Sequence, residues 1–120
     1  MAFKMNHLHL KSPDPKKTAQ FYVDNLGATI TAEMSGDRGF RLDLHGLSLN
    51  VTKFIDSQTH DQVYGMEHIA IDTDDIDGTV ASLKAGGARI LEETTVGEGR
   101  RVCFFEGPEG VCLEVLEMPQ

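Results

Sequence analysis

The chain has 120 residues, of which 40% are hydrophobic and 25% are charged, as expected for one globular domain with a modest core. Its formal net charge of −8 at pH 7 repels phosphate backbones and anionic lipid headgroups, which argues against nucleic acid and membrane partners. The N-terminus MAFKMNHLHL lacks the apolar core and cleavage site of a signal peptide. Two cysteines, Cys103 and Cys112, make neither a disulfide framework nor a CxxC motif. We therefore expect a soluble, cytoplasmic protein with reduced thiols.

The sequence repeats itself once, at an interval of 60 to 64 residues. A long period with two copies indicates a tandem module and not a solenoid. We predict one domain over 1–120, made of module one (1–53), a connector (54–64) and module two (65–120). The matching segments are NHLHLKSPDP at 6–15 with EHIAIDTDDI at 67–76, NLGATI at 25–30 with AGGARI at 85–90, and GLSLNV at 46–51 with GVCLEV at 110–115.

Module one reads as a strand, a helix and three more strands. Alternating apolar residues predict the first strand over 5–11. Asp14 as N-cap, Pro15 at the first helical position and Gly27 as the stop predict the helix. Turn residues separate the later strands at 28–34, 40–45 and 47–54. The apolar stripe predicted for the helix consists of Ala19, Tyr22, Val23 and Leu26.

Module two repeats this order. Its helix is predicted from Asp75 to about Ala85, because an aspartate again precedes an apolar stripe of helical period. Each module is therefore βαβββ. The predicted strands lie at 66–72, 88–95, 101–106 and 111–117, and the helical stripe consists of Ile76, Val80 and Leu83.

One face of the predicted strands carries an unusual set of polar residues. In HLHL, His7 and His9 point to one side and the two leucines to the other. Such a face is often simply solvated in an antiparallel sheet. A solvated face of an acidic protein should however be rich in Lys and Glu, so repeated histidines favour a site. The residues that share this face are His7, His9, Asn50, His68 and Glu114.

Two neutral imidazoles and one carboxylate suit a divalent metal such as Fe, Mn, Ni or Zn, and three protein ligands leave positions open for a substrate. Equivalent strands of two related modules would face each other across a pseudo-twofold axis. We therefore expect His7, His68 and Glu114 to bind one divalent metal ion. Asn50 would lie near Glu114 and contact the substrate or a water at the metal.

The chain resembles the vicinal oxygen chelate superfamily, which includes glyoxalase I, fosfomycin resistance enzymes, extradiol dioxygenases and bleomycin resistance proteins. The motifs that carry the resemblance are HLHLKSPDPKKTAQFYVDNLGA, GMEHIAIDTDDID and FFEGPEGVCLEVLE. The resemblance implies an α+β fold in which two tandem βαβββ modules form a cupped mixed sheet around a metal, often in a homodimer. It also places His7, His68 and Glu114 on the family's ligand positions, with Asn50 on the remaining one.

Departures from the family patterns bear on the reaction. Glyoxalase-like enzymes carry Glu or Gln where this chain has Asn50, which is shorter and cannot act as a base. Extradiol and fosfomycin enzymes share the His, His, Glu set, but they tend to carry a tyrosine where this chain has Phe104. Bleomycin-binding members usually lack the three ligands.

We favour a metal-dependent enzyme with glyoxalase-like isomerase or lyase chemistry on a small, vicinally oxygenated substrate. Glu114 would be the strong base and His9 a second acid or base. An extradiol-type, ring-cleaving dioxygenase with ferrous iron is the alternative, and a non-catalytic binding or resistance protein is the second alternative.

The remaining candidate residues have plainer interpretations. His45 and His60, at a turn and in the connector, are expected to be solvated. Cys103 is expected to be a packing residue, and Cys112 either a small apolar filler or part of a cavity wall. The Arg100–Arg101 pair follows GEG at a hairpin, where it would be solvated or contact an anionic substrate.

Overall fold

The computed structural model of the protein describes residues 1–119. Over that range it contains eight strands, two α-helices and two short 3-10 turns, so the predicted α+β class and the βαβββ order of both modules are confirmed. The strands are β1 (Phe3–Lys11), β2 (Thr29–Met34), β3 (Gly39–Leu44), β4 (Leu47–Thr52), β5 (Gly65–Thr73), β6 (Arg89–Val96), β7 (Arg100–Glu106) and β8 (Cys112–Glu117). The helices are α1 (Pro15–Leu26) and α2 (Ile76–Ala85), and the 3-10 turns are Ser35–Asp37 and Pro108–Gly110.

The chain divides into two compact units. Unit one comprises His7–Ser57 and Asp61–Glu67, and unit two comprises Met1–Asn6, Gln58–His60 and the chain from His68 onward. Strand β1 therefore contributes residues to both units. The module boundaries read from the sequence remain a prediction.

Unit one is a mixed sheet covered by one helix. Strand β1 pairs in parallel with β4, and β4, β3 and β2 pair antiparallel in turn. Helix α1 packs on β2, β3 and β4. The prediction that Leu26 belongs to the buried stripe is wrong: it is 48% exposed, because it is the last helical residue before Gly27 turns the chain at φ 71°. The core consists of Leu10, Ala19, Ala28, Phe40, Leu42, Leu49 and Val51.

Helix α1 begins at the predicted cap. The Asp14 carboxylate accepts a hydrogen bond from the Lys17 backbone N–H, which satisfies one of the donors left open at a helix start. The hydroxyl of Ser12 lies 2.7 Å from that of Thr18 and accepts the Asp14 backbone N–H at 3.0 Å. These contacts fix the angle at which the chain leaves β1.

Unit two uses the same arrangement. Strand β5 pairs in parallel with β8, and β8, β7 and β6 pair antiparallel in turn, with α2 packed on β7 and β8. Its cap is equivalent to that of α1, since Asp75 accepts the Gly78 backbone N–H at 2.9 Å and the hydroxyls of Thr73 and Thr79 lie 2.8 Å apart. The core beneath α2 consists of Ile76, Val80, Cys103, Phe105 and Val115, and a second cluster consists of Ala70, Val102, Phe104 and Leu116.

Both modules carry a β-bulge at the equivalent place. The register of β2 shifts between Ile30 and Ala32, and that of β6 shifts between Ile90 and Glu92. An extra residue in one strand re-aims the side chains that follow it. In β6 the result is that Glu92 lies opposite Phe104. Neither helix of the described chain is long and apolar enough to cross a membrane.

Candidate functional site

The polar strand face predicted from the sequence is buried. This burial excludes a solvated sheet surface, and it means that each of these polar groups requires a partner. The exposed fractions are 6% for His7, 6% for His9, 6% for Asn50, 2% for His68 and 4% for Glu114.

In unit one the two histidines of β1 meet directly. Nε2 of His7 lies 3.3 Å from Nδ1 of His9, and Nε2 of His9 lies 2.8 Å from the Thr52 hydroxyl oxygen. That hydroxyl donates its proton to the Lys53 carbonyl at 2.8 Å, so it must accept the Nε2–H of His9. Nδ1 of neutral His9 is therefore an acceptor that faces His7.

Asn50 lies beside His9 on the neighbouring strand of unit one. The two residues are partners in the parallel register of β1 and β4, and Arg41 is the partner of Asn50 on β3. The Arg41 Nε–H donates to Oδ1 of Asn50 at 3.3 Å. The amide oxygen predicted to face a metal or its water thus accepts a hydrogen bond from the guanidinium of Arg41, which is not among the predicted site residues. The alternation of FRLDLH, which places Arg41 on this face, was the available signal.

In unit two, a histidine and a glutamate lie on neighbouring strands. Nε2 of His68 is 3.2 Å from Oε1 of Glu114, and both side chains are at most 5% exposed. Glu114 is the register partner of Ala70 on β5 and of Phe104 on β7. Two ligands that bind one ion at about 2.1 Å with an angle of about 100° lie about 3.2 Å apart. The separation and the imidazole and carboxylate donors both fit a divalent metal ion.

The prediction that His60 is solvated is wrong, since it is 7% exposed. Its ring Nδ1 lies 2.7 Å from Oε1 of Glu92, and the backbone N–H groups of Thr59 and His60 each donate to the same oxygen at 2.9 Å. Burial alone would raise the pKa of Glu92, but the hydrogen bonds from His60 and Thr59 outweigh it and lower that pKa. The His60 ring also stacks on Phe104, with centroids 4.0 Å apart.

A buried ion pair in unit one was also missed. Nζ of Lys11 lies 3.5 Å from Oε2 of Glu67, and both side chains are at most 1% exposed. Lys11 continues the face of His7 and His9 along β1, which was the only sequence signal. Lysine is almost never fully buried unless it is paired, so no pattern in this short strand predicts its burial.

The two cysteines differ in environment. Cys103 is 1% exposed and belongs to the core under α2, which confirms its packing role. Burial raises the pKa of its thiol to about 11, with a smaller contribution from Glu93. Cys112 is half-buried and packs against the cluster that contains Phe104, as expected for an apolar filler.

The hairpin arginines form ion pairs within unit two. Arg100 pairs with Asp72, and Arg101 pairs with Asp77 and Glu117. The Arg101 hydrogen bond lowers the pKa of the exposed Asp77 carboxyl. These pairs explain both arginines without an anionic substrate. His45 is exposed, as predicted, with its Nε2 2.6 Å from the Leu26 carbonyl.

Comparison with known proteins places this geometry in a family. The chain is 29% identical over 126 residues to the uncharacterized protein YaeR of Escherichia coli K12, with 95% of both chains covered. It is 27% identical over 133 residues to the mitochondrial methylmalonyl-CoA epimerase of Homo sapiens, covering 93% of this chain and 72% of that protein. A solved hypothetical protein from Bacillus halodurans C-125 has a TM-score of 0.78 at 19% identity, covering 100% of this chain and 97% of that one.

The family model described as Glyoxalase/Bleomycin resistance protein/Dioxygenase superfamily matches residues 4–115. This range runs from the second residue of β1 into β8, and it includes all five polar residues of the buried strand face. The chain therefore belongs to the Glyoxalase/Bleomycin resistance protein/Dioxygenase superfamily.

Proposed function

We propose that this protein is a divalent-metal-dependent isomerase that moves a proton on a small, vicinally oxygenated substrate. The observation that carries the proposal is the buried pair of His68 and Glu114, whose donor atoms lie 3.2 Å apart on neighbouring strands. A buried carboxylate and imidazole are groups that enzymes use as metal ligands or as an acid and base.

His7, His68 and Glu114 are the proposed metal ligands. The support comes from each unit separately: His7 is buried on β1 next to His9, and His68 is buried on β5 next to Glu114. His7 and His68 are also equivalent positions of the internal repeat. We propose that Asn50 contacts the substrate or a nearby water through its amide, with its orientation set by Arg41.

A divalent ion held by these residues would act as a Lewis acid. It would draw electron density from the substrate's vicinal oxygens and stabilise the negative charge that develops on them. Glu114 would take the proton from a substrate carbon that lies next to a carbonyl, because it carries the carboxylate of the proposed ligand set. His9 is the proposed second acid or base, since Thr52 holds its Nε2–H and leaves Nδ1 as an acceptor.

The curated human relative favours an isomerase. It is named an epimerase, and epimerases invert a carbon centre. When the centre is next to a carbonyl, inversion commonly removes and returns a proton, which requires groups of the kind found here. Glyoxalase-like isomerisation moves a proton between neighbouring carbons by related chemistry, so both substrate types are suitable probes.

A cavity in unit one supports an anionic substrate. It has a volume of about 550 Å³, and its lining includes Thr52, the partner of His9. Two exposed cations, Arg38 and Lys53, also line it, with Asp56 as the opposing charge. A cavity of this size accommodates more than a two- or three-carbon compound.

The test combines metal analysis with two substrates. The protein loaded separately with Co²⁺, Ni²⁺, Mn²⁺, Zn²⁺ or Fe²⁺ is assayed with methylmalonyl-CoA and with the hemithioacetal of methylglyoxal and glutathione. We expect about one bound metal per chain and turnover of one probe in at least one metal form. A protein that binds no metal stoichiometrically contradicts the proposal, and metal binding without turnover favours the non-catalytic binding protein.

A ring-cleaving dioxygenase is the second candidate, because two histidines and one glutamate are the donor set of many ferrous iron oxygenases. Phe104, the register partner of Glu114, offers no hydroxyl to orient oxygen. Oxygen consumption by the Fe²⁺ form with catechol distinguishes the two enzymes. Oxygen-dependent turnover of catechol would replace the isomerase proposal.

We also propose a homodimer. The described chain leaves large apolar side chains exposed on β1 and α1, among them Phe3 at 56% and Phe21 at 56%. Exposed apolar surface and open sheet edges are commonly covered by a partner subunit. Sedimentation at micromolar concentration should show twice the mass of the 13.2 kDa chain, and a monomer contradicts the proposal.

A further inference from the structure

One arginine of the chain differs from the other four in having no partner. Arg89, Arg100 and Arg101 each pair with a carboxylate, and Arg41 donates to a side-chain amide. Within residues 1–119, the guanidinium of Arg38 forms neither a hydrogen bond nor an ion pair. The sequence contains 19 acidic residues, so a shortage of carboxylates does not explain this.

A second cation without a partner lies at the same place. Arg38 and Lys53 both line the cavity of about 550 Å³ in unit one, and the Lys53 ammonium also has no ion pair or hydrogen bond over the described range. Asp56 is the opposing charge in the lining, so the cavity carries an excess of positive charge. In a chain of net charge −8, such a cavity attracts an anion from outside the chain.

The backbone holds the two cations at neighbouring positions. The Lys53 backbone N–H donates to the Arg38 carbonyl at 3.0 Å. Gly39 is the register partner of Thr52, and a Cβ at Gly39 would collide with the Val51 carbonyl oxygen and lie 2.7 Å from Cγ2 of Thr52. Because Gly39 has no side chain, the start of β3 can approach the end of β4 closely. This approach places Arg38 opposite Lys53.

The wall of the cavity is held in place by contacts within unit one. The Ile55 backbone N–H donates to Oε1 of Gln62 at 2.8 Å, and Nε2 of Gln62 donates to the Ile55 carbonyl at 3.0 Å. The Phe54 ring stacks on Tyr64 with centroids 4.4 Å apart. The segment that follows Lys53 is therefore fixed before a ligand arrives, which lowers the entropic cost of binding.

We propose that Arg38 and Lys53 bind an anionic group, a carboxylate or a phosphate, at the end of an apolar arm of the substrate. A guanidinium matches either group with two parallel hydrogen bonds, and an ammonium adds a point charge. Met34, Phe54 and Ile55, which also line the cavity, would contact the apolar arm. The inference rests on the proposed function for the identity of the ligand, and it adds the residues that determine specificity.

Thr52 connects the cavity to the proposed acid or base of unit one. Its hydroxyl oxygen lies 2.8 Å from Nε2 of His9, and the same residue lines the cavity. A substrate with its reacting carbon near His9 would extend past Thr52 toward the two cations. Since the cations would contact the end that does not react, they should act mainly on substrate binding.

The binding experiment uses the full chain, labelled with ¹⁵N, with and without Zn²⁺. The probes are hexyl phosphate, hexanoate and the uncharged hexanamide, and backbone amide shifts in NMR spectra report the site and the dissociation constant. The variants are Arg38→Gln, Lys53→Gln and Asp56→Asn. The matched controls are Lys16→Gln, an exposed position of α1, and Arg89→Gln, an exposed arginine of unit two.

We expect at least one of the two anions to shift the amides of residues 52–57, with hexanamide about 10-fold weaker or more. Arg38→Gln and Lys53→Gln should each weaken the anion by about 5- to 10-fold. Asp56→Asn should tighten it by about 2- to 3-fold, because the opposing charge is removed. The controls should match the wild type, and added salt should weaken binding. The tighter anion identifies the group as a phosphate or a carboxylate.

The kinetic experiment uses Co²⁺-loaded protein and the probe substrate that the wild type turns over. Methylmalonyl-CoA and the hemithioacetal of glutathione are both anionic. Arg38→Gln and Lys53→Gln should raise KM by about 5- to 10-fold and change kcat less, as expected for contacts to a part of the substrate that does not react. A merely structural role would lower the unfolding temperature without this division between KM and kcat.

The outcomes separate the two proposals. If neither anion binds at the cavity, or if hexanamide binds as tightly, the inference is overturned and an active wild type leaves the proposed function standing. Unchanged affinity in both Arg38→Gln and Lys53→Gln overturns it as well. Anion binding with unchanged KM in both variants contradicts the role in specificity. If the wild type turns over neither probe, the proposed function fails, whereas the titrations still decide whether these two residues bind an anion.

Discussion

The two modules share a backbone plan but carry different chemistry across it. In both, a row of register partners crosses the strands on the polar face, beginning at the residue after the bulge. At no position of the row do the two modules carry the same residue type. The row in module one is Ala32, Arg41, Asn50 and His9, and the row in module two is Glu92, Phe104, Glu114 and Ala70.

The same backbone arrangement therefore carries different polar and charged groups in the two modules. In module one, Arg41 donates to the neutral Asn50, so the row offers hydrogen-bond donors and a cation. In module two, Glu114 lies beside the uncharged Phe104, so no cation of the row pairs with its carboxylate, which instead lies 3.2 Å from Nε2 of His68. A carboxylate in the place of Asn50 would instead pair with Arg41.

The largest effect is expected from His68→Ala. Removal of a proposed ligand should reduce bound metal from about one ion per chain to none, a larger loss than the 10–100-fold that follows from changes to groups behind the ligands. Elemental analysis after gel filtration measures it. His45→Ala is the control, and unchanged stoichiometry in His68→Ala would remove His68 from the site.

The second test compares a charge pair of unit one with a charge pair of unit two. Lys11 and Asp72 are equivalent in the repeat, and they pair with the oppositely charged residues Glu67 and Arg100 respectively. Lys11→Met should lower the free energy of unfolding by about 3–5 kcal/mol, because the pair with Glu67 is at most 1% exposed. Arg100→Met should lower it by about 1.5–3 kcal/mol, since Arg100 is 24% exposed. Urea unfolding measures both, and equal losses would contradict the ranking.

The third test replaces residues of the module-one row by those at the equivalent positions of the module-two row. Asn50→Glu alone should leave metal affinity within about threefold, because Arg41 neutralises the new carboxylate. The double variant Asn50→Glu with Arg41→Phe copies module two and should tighten metal binding by about 10-fold or more. Titration with Co²⁺ checks both variants, and Arg41→Phe alone is the control.

The same double variant separates the enzyme classes. Proton transfer chemistry should tolerate a fourth, basic ligand, so isomerase activity should persist or rise. A dioxygenase needs open positions for oxygen and substrate, so tighter metal binding with loss of oxygen-dependent turnover would favour that class. No effect on either quantity means that Asn50 does not face the metal.

The smallest effects are expected from the two helix N-caps, and they should be equal in the two modules. Asp14→Ala and Asp75→Ala each remove a carboxylate that accepts one backbone N–H at the helix start, and each should lower the free energy of unfolding by about 1 kcal/mol. Thermal unfolding measures the difference between them. A large inequality would show that the cap contributes differently to the two units.

The sequence predicted every strand and helix of the fold, since each relies on local signals. The strands follow the period of two, as in HLHL, and α1 follows from Asp14, Pro15 and Gly27. The internal repeat then identified the polar face, because His7 and His68 recur at the same place in two modules. The burial of that face is confirmed, whereas the metal-binding roles of its residues stay predictions.

The wrong or missed predictions concern residues whose burial depends on contacts that are distant in the sequence. His60 stands in a connector without periodicity, and its burial depends on Glu92, which is 32 residues away in the chain. Lys11 is buried by its pair with Glu67, 56 residues away, against the usual preference of lysine for water. The exposure of Leu26 depends on where α1 ends relative to the sheet, a distinction that the helical period alone does not contain.

Because strand β1 contributes residues to both units, its two ends are expected to fold at different times during translation. Unit one lies entirely within residues 7–67, of which only the connector residues Gln58–His60 belong to unit two, so unit one can close while the later strands are still being translated. Residues 1–6 contact the chain beyond His68, for instance through the hydrogen bond from the Ala2 backbone N–H to Asp74. Residues 1–6 must therefore wait for the chain beyond His68 before their contacts can form, and closing so long a loop carries an entropic cost. The amino-terminal end of β1 should be the last part of its strand to become protected from hydrogen exchange.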